Sequence, residues 1–318
     1  MRTDFFLLHL FLLLFFSGCD MFEAHPYDAY VRGEKNINEK QIAKLEEQLK
    51  DASTFRFAFI SDTQRWYDET EDVVKHINAR EDVDFVVHGG DISDFGATHE
   101  FTMQRDILQN LTMPWVTLLG NHDCLGTGEH VYKEIFGNPN FSFHVGNTLF
   151  ICLNTNALEY DYSEPVPDFE FLENLMTELP EHIKRTIVVM HAPPFDSVFN
   201  NNVAKVFQLY LKNFPGLMFC LHGHLHQYTV SDLFQDGILY FQTPNVGKRL
   251  YLLFTINEEG YEYEVDISRE RDMVSGKAFS GEWEKEIEIN IFQPSTYLRQ
   301  KEFLKDVLKD REVEIRRK

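Results

Sequence analysis

Positive charge is scarce in this chain. Its 318 residues hold 30 Lys and Arg against 51 Asp and Glu, a formal net charge of −21. Binding along a nucleic-acid backbone needs basic contacts, so the composition opposes a nuclease or a nucleic-acid partner. The same excess repels anionic surfaces at long range, although bound cations can reverse the field locally. Cysteine is also sparse: Cys19, Cys124, Cys152 and Cys220. Cys152 and Cys220 lie in apolar runs, where Cys acts as a small core residue. Beyond Cys19 the number is odd, which excludes a complete disulfide framework. No Gly-rich nucleotide cradle, no G-x-S-x-G elbow and no internal repeat occurs. The apolar stretch Phe5–Phe16, broken only by His9, falls short of the ~20 residues that a transmembrane helix needs.

That stretch fits the apolar part of a signal peptide instead. Ser17-Gly18-Cys19 follows it and resembles the lipobox of bacterial lipoproteins, with Phe16 where Leu is usual. The expectation is a signal peptide over 1–18, lipid on Cys19, export, and attachment to a membrane of a bacterial cell envelope. An ordinary signal peptide or an uncleaved anchor, with Cys19 incidental, is the plainer alternative. Residues 19–54 read as an irregular tether followed by a short helix carrying Ile42, Leu45 and Leu49.

A hydrophobic content of 43% suffices for one large core. From Phe55 onward strand and helix patterns alternate. Strands are expected at Phe55–Ser61, Phe85–His88, Val116–Leu119, Thr186–Met190 and Leu217–Leu221. Helices are expected at Glu71–Arg80, Thr98–Leu111, Glu129–Phe136, Asp168–Leu179 and Val203–Phe214. Phe141–His144 and Leu149–Leu153 flank Gly146-Asn147, a hairpin signal. Tyr228–Leu233, Ile238–Gln242 and Arg249–Ile256 add short strands, and Tyr261–Ile267 alternates like an edge strand. The pattern predicts an α/β domain over 55–268, with two sheets packed face to face and helices outside. A C-terminal extension, 269–318, carries a strand pattern at Glu286–Phe292 and a helix pattern at Ser295–Val307.

Five short segments stand where strand patterns stop: Asp62-Thr63-Gln64, Gly90-Asp91, Gly120-Asn121-His122-Asp123, His191, and Gly223-His224-Leu225-His226. Ligands of open α/β sheets bind at the carboxyl ends of the strands, so five such ends can converge. Residues i and i+2 of an extended segment share a face, which would point Asp62 with Gln64, and His224 with His226, to one place. Each residue taken singly has a plainer reading, as a loop cap, a turn former or a surface imidazole. In order and together, the five segments resemble the calcineurin-like metallophosphoesterase family across roughly residues 55–256.

The resemblance implies a four-layer α-β-β-α sandwich and two divalent or trivalent transition-metal ions, Mn, Fe or Zn. One ion would take Asp62, Gln64, Asp91 and His226; the other would take Asp91, Asn121, His191 and His224, with Asp91 as the bridge. His122 would stabilise the transition state and protonate the leaving alkoxide, and Asp123 would orient His122. The substrate would be a small phosphate monoester or diester, attacked by metal-bound hydroxide. Many relatives carry His where Gln64 stands. An amide oxygen is the weaker ligand and shifts preference from Zn²⁺ toward Mn²⁺ or Mg²⁺. No Tyr ligand follows Gly90-Asp91, which argues against the purple acid phosphatase pattern. Trp66 and Tyr67 are candidate substrate contacts, with Tyr160, Tyr162, Phe195 and Phe199 on later loops; packing under those loops is the equal alternative. A second reading is an inactive binding or scaffold lipoprotein that keeps the fold, against which the presence of His122 speaks. Oligomeric state is not legible.

Overall fold

A computed structural model describes residues 28–268. Cys19, the expected signal peptide and the extension 269–318 lie outside the described residues.

Two mixed β-sheets form the centre. The first contains β1 (Phe55–Ile60), β2 (Phe85–His88), β3 (Trp115–Thr117), β10 (Leu250–Asn257) and β11 (Gly260–Ile267), ordered β11-β10-β1-β2-β3. The second contains β4 (Phe141–Val145), β5 (Thr148–Leu153), β6 (Arg185–Met190), β7 (Leu217–His222), β8 (Thr229–Ser231) and β9 (Leu239–Gln242), ordered β4-β5-β6-β7-β9-β8. Strands β1, β2 and β3 run parallel, as do β5, β6, β7 and β9. The remaining pairings are antiparallel.

The period-2 alternation of strands splits the core into three layers. Phe57, Phe59, Phe85 and Val87 of the first sheet meet Phe143, Phe150, Ile187, Val189 and Phe219 of the second. Aromatic rings fill this interface: Phe57 stacks on Phe85 at 5.2 Å and Phe143 on Phe150 at 4.7 Å. Ala58, Ile60 and Val86 face the other way, against α2 (Tyr67–Asn78), α3 (Thr98–Leu108) and α4 (Gly128–Ile135). Ile151, Val188, Met190 and Cys220 likewise pack on α5 (Phe169–Thr177) and α6 (Ala204–Lys212). Helix α1 (Ile37–Gln48) inserts Leu45 at the end of the inter-sheet core. Burial of each such Phe contributes on the order of 2 kcal/mol before cavity effects. The result is the expected α-β-β-α sandwich.

Boundaries moved by a few residues. Helix α2 begins at Tyr67 rather than Glu71, directly after Trp66, and α3 stops at Leu108. Strand β3 is shorter and earlier than Val116–Leu119, because Leu118 and Leu119 already lead into the site loop. Tyr261 does belong to an edge strand, β11. The parallel strands end on one edge of the sandwich, and the chain turns there through the five segments.

Candidate metal centre

Asp91, one residue past Gly90 at the end of β2, is the hub. It is 1% exposed. Its Oδ2 accepts a hydrogen bond from Gln64 Nε2 at 3.1 Å, while Oδ1 lies 3.3 Å from His191 Nε2 and accepts the backbone N–H of His122 at 3.0 Å. The two oxygens thus face two different groups of residues. On the Gln64 side, Asp62 lies 3.1 Å from His226 Nε2 and also accepts the backbone N–H of His224. On the other side, Asn121 Oδ1 is 3.1 Å from His191 Nε2 and 2.9 Å from His224 Nδ1. Ligand atoms of Asp62, Asp91 and His191 all lie within 4.8 Å of one another, in a fully buried group.

The backbone that delivers these side chains is not extended. Asp62, Asp91, His224 and His226 all have positive φ, 57°, 60°, 74° and 56°. Asp62, His224 and His226 therefore do not share a face by the i, i+2 rule expected of an extended strand. His224 and His226 converge because both adopt the left-handed conformation around an exposed Leu225. Such conformations cost of order 1–3 kcal/mol each in non-glycine residues and cluster at functional sites. Close approach supplies the second constraint. A Cβ on Gly120 would collide with the Asp91 backbone nitrogen and Oδ1, and one on Gly223 would stand 2.5 Å from Asp62 Oδ2.

The donor chemistry fits a cation. His191 Nδ1 lies 2.9 Å from the Gly89 carbonyl, which can only accept, so Nδ1 carries the proton. Its Nε2 then turns a lone pair toward Asn121 Oδ1 and Asp91 Oδ1. His224 repeats the arrangement, with Nε2 3.1 Å from Asp196 Oδ1 and Nδ1 facing Asn121. Neutral imidazoles would leave four lone-pair atoms converging with no donor among them. Gln64 Oε1 is buried and has no hydrogen-bond partner. A buried polar atom left unpaired costs about 1–3 kcal/mol; a metal ion removes that cost. Without metal a proton takes the place. Burial pushes the His191 pKa down, but the Asp91 and Asp62 carboxylates outweigh it and raise it to about 10. Asp91 is lowered despite burial, because His191 faces it.

His122 sits beside this cluster with Nδ1 2.9 Å from the Asp94 carbonyl and 3.6 Å from its carboxylate. Asp123 does not orient it. Both Asp123 oxygens accept backbone N–H groups, from Gly120, Asp91, Ile92 and Ser93, plus the Ser93 hydroxyl. It staples the Gly120 and Asp91 loops together. Burial and the Asp91 charge raise its pKa to about 6 even so. Asp94, which Arg65 pairs with, takes the position expected of Asp123.

Other expected contacts separate. Trp66 is half-buried and packs against Gly247, where a Cβ would be 2.6 Å from its indole. Tyr67 lies near Asp94 and Glu100, and burial raises its pKa. The Tyr160 hydroxyl accepts from Asn154 Nδ2 and lies 3.9 Å from Cys124 Sγ, while Tyr162 donates to the Ser197 carbonyl. Phe199 is buried and Phe195 is exposed. His88 and His222 are buried neighbours of the site, each pushed down to about 4 by burial. The residue that sequence reasoning missed is Asp196. Its only sequence signal is an acidic side chain in the loop that follows His191.

A family model described as calcineurin-like phosphoesterase matches residues 55–228. The chain belongs to the calcineurin-like phosphoesterase family. Members of this family are metal-dependent enzymes, and this phosphoesterase has a buried acid–histidine group at the matching strand ends. Among curated proteins, a 3′,5′-cyclic-nucleotide phosphodiesterase of Nostoc sp. (strain PCC 7120) is 26% identical over 156 residues, 46% of this chain and 58% of that protein. The match thus spans less than two thirds of that relative's length. Among solved structures, a dimetal phosphatase from Danio rerio superposes with a TM-score of 0.56, at 14% identity, over 68% of this chain and 97% of that one. A purple acid phosphatase from yellow lupin (Lupinus luteus) seeds gives 0.53, at 14% identity, over 69% and 52%. At such identities the likeness is one of fold alone.

Proposed function

We propose that this phosphoesterase hydrolyses phosphate mono- or diesters at a dinuclear centre, as an exported protein held at a bacterial membrane by lipid on Cys19. The observation that carries the dinuclear reading is the split of Asp91. One oxygen faces Gln64 and the other faces His191 and the His122 backbone, as a carboxylate serving two ions must. Asp62, Gln64, Asp91 and His226 would hold one ion, and Asp91, Asn121, His191 and His224 the second. When bound, the pair supplies Lewis acidity and a nucleophile generated from water near neutral pH.

The protein supplies the rest. Gly89 and Asp196 fix the tautomers of His191 and His224. Asp123 holds the loop bearing Asn121 and His122 against the Asp91 loop. His122, with Nδ1 turned to Asp94, presents Nε2 to the departing oxygen and donates the proton it needs. The Nostoc relative supports diester chemistry. Metal analysis together with turnover of p-nitrophenyl phosphate and bis-p-nitrophenyl phosphate tests this reading.

A further inference from the structure

We infer that the phosphoester taken by this site carries an alkyl or acyl chain on its alcohol side. The inference rests on the reading of His122 as the group that faces the departing oxygen. His122 is held by two loops, and each offers a large apolar side chain to solvent. On one loop, Asp94 bonds His122 and Phe95 follows it, 68% exposed. On the other, Leu125 donates its N–H to the His122 carbonyl at 3.2 Å and is 38% exposed. The loops touch, since a Cβ on Gly96 would run into the Leu125 carbonyl. Phe95 and Leu125 are therefore exposed apolar residues on the two touching loops that hold His122.

The same edge continues the pattern. Phe195 precedes Asp196, which holds His224; Leu225 separates His224 from His226; both are exposed. Exposed apolar side chains gathered around a site mark a binding surface for apolar groups. A sugar or nucleoside alcohol would find neither donor nor acceptor on Phe95 and Leu125. The entry of the chain points to the same kind of ligand. Thr98, three residues after Phe95, donates its hydroxyl to the Asp28 carbonyl. Asp28, the first described residue, is thus tied to the helix start that follows Phe95. From Cys19 to Asp28 an extended chain spans at most roughly 30 Å. A lipid on Cys19 would keep the mouth within reach of membrane amphiphiles.

The test is a chain-length series: ethyl, butyl and octyl phosphate and their methyl diesters, all below their aggregation limits, with 3′,5′-cyclic AMP alongside. The metal-loaded protein should show kcat/KM rising about tenfold or more from butyl to octyl, consistent with partial burial of four methylenes. Phe95→Ser and Leu125→Ser should flatten that rise, with circular dichroism and metal content as in the parent. Equal rates for butyl and octyl esters would overturn the inference while leaving the phosphoesterase reading intact. So would faster turnover of cyclic AMP than of any octyl ester, or a rise that both variants retain. Hydrolysis of no phosphoester at all would overturn both.

Discussion

His224 stands between two oxygen acceptors: its Nδ1 is 2.9 Å from Asn121 Oδ1 and its Nε2 is 3.1 Å from Asp196 Oδ1. The carboxylate is the stronger acceptor; burial pushes the Asp196 pKa up, but this bond, the Val198 N–H and the facing His224 and His191 together outweigh it and lower the pKa. Asp196 therefore holds the tautomer that leaves Nδ1 free for a ligand. Partners of this kind typically set metal affinity by 10–100-fold. Asp196→Ala should weaken binding at the Asn121 side by about that factor, read by calorimetric titration of metal into stripped protein, and Asp196→Asn should recover part of it. Unchanged affinity in Asp196→Ala would mean that Asp196 only packs the loop.

Gln64 presents a buried Oε1 with no partner. Gln64→His replaces an amide oxygen with an imidazole, which Zn²⁺ prefers. The expected outcome is a rise in Zn²⁺ affinity at one of two sites, with the other unchanged. Identical titrations for parent and variant would remove Gln64 from the ligand set.

His122→Ala separates chemistry from binding. Metal content should stay near the parent's, because His122 makes its side-chain contact with Asp94. Turnover of an alkyl phosphate should fall about 10²-fold or more, and that of p-nitrophenyl phosphate far less, since its leaving group needs little protonation. Equal losses on both substrates would assign His122 to holding the phosphate instead.

His191 gives the metal-free protein a pH signature. Its folded pKa, about 10, lies above the ordinary 6.5. The stabilisation is complete below pH 6.5 and is lost as pH rises through the folded value. The half-buried Cys124 and buried Cys220 thiols, both raised by burial, add their own loss nearer pH 9, so the useful window is pH 6.5–8.5. Tm of metal-free protein should fall there by about 5 °C. Metal should abolish the fall, because it replaces the proton on His191. A flat profile without metal would show that no proton is held between His191 and Asp91.

Much of this was legible in the residues. Phe57, Phe59, Phe85 and Val87 alternate with Ala58, Ile60 and Val86, and that alternation alone assigns two faces to each strand. Gly90-Asp91 and Gly120-Asn121-His122 mark strand ends whatever the partner strands. What stayed hidden depends on backbone conformation and on contacts between distant loops. Positive φ at Asp62, Asp91, His224 and His226 is imposed by tertiary packing, since none of these residue types demands it. Asp196 meets His224 across 28 residues, and nothing local to either announces the pair. Asp123 reads as a partner for His122 because they are adjacent, yet in a 3₁₀ turn (His122–Cys124) neighbouring side chains diverge, and its oxygens go to backbone N–H groups instead.

The central claim is a two-metal hydrolytic site bridged by Asp91, and stepwise reconstitution tests it most directly. Stripped protein should be inactive on p-nitrophenyl phosphate and bis-p-nitrophenyl phosphate. Adding Mn²⁺ should restore activity to a plateau at two equivalents per chain, and Asp91→Asn should lose both bound metal and activity. Full activity in stripped protein, or an Asp91→Asn variant that binds two ions and turns over like the parent, would contradict the account.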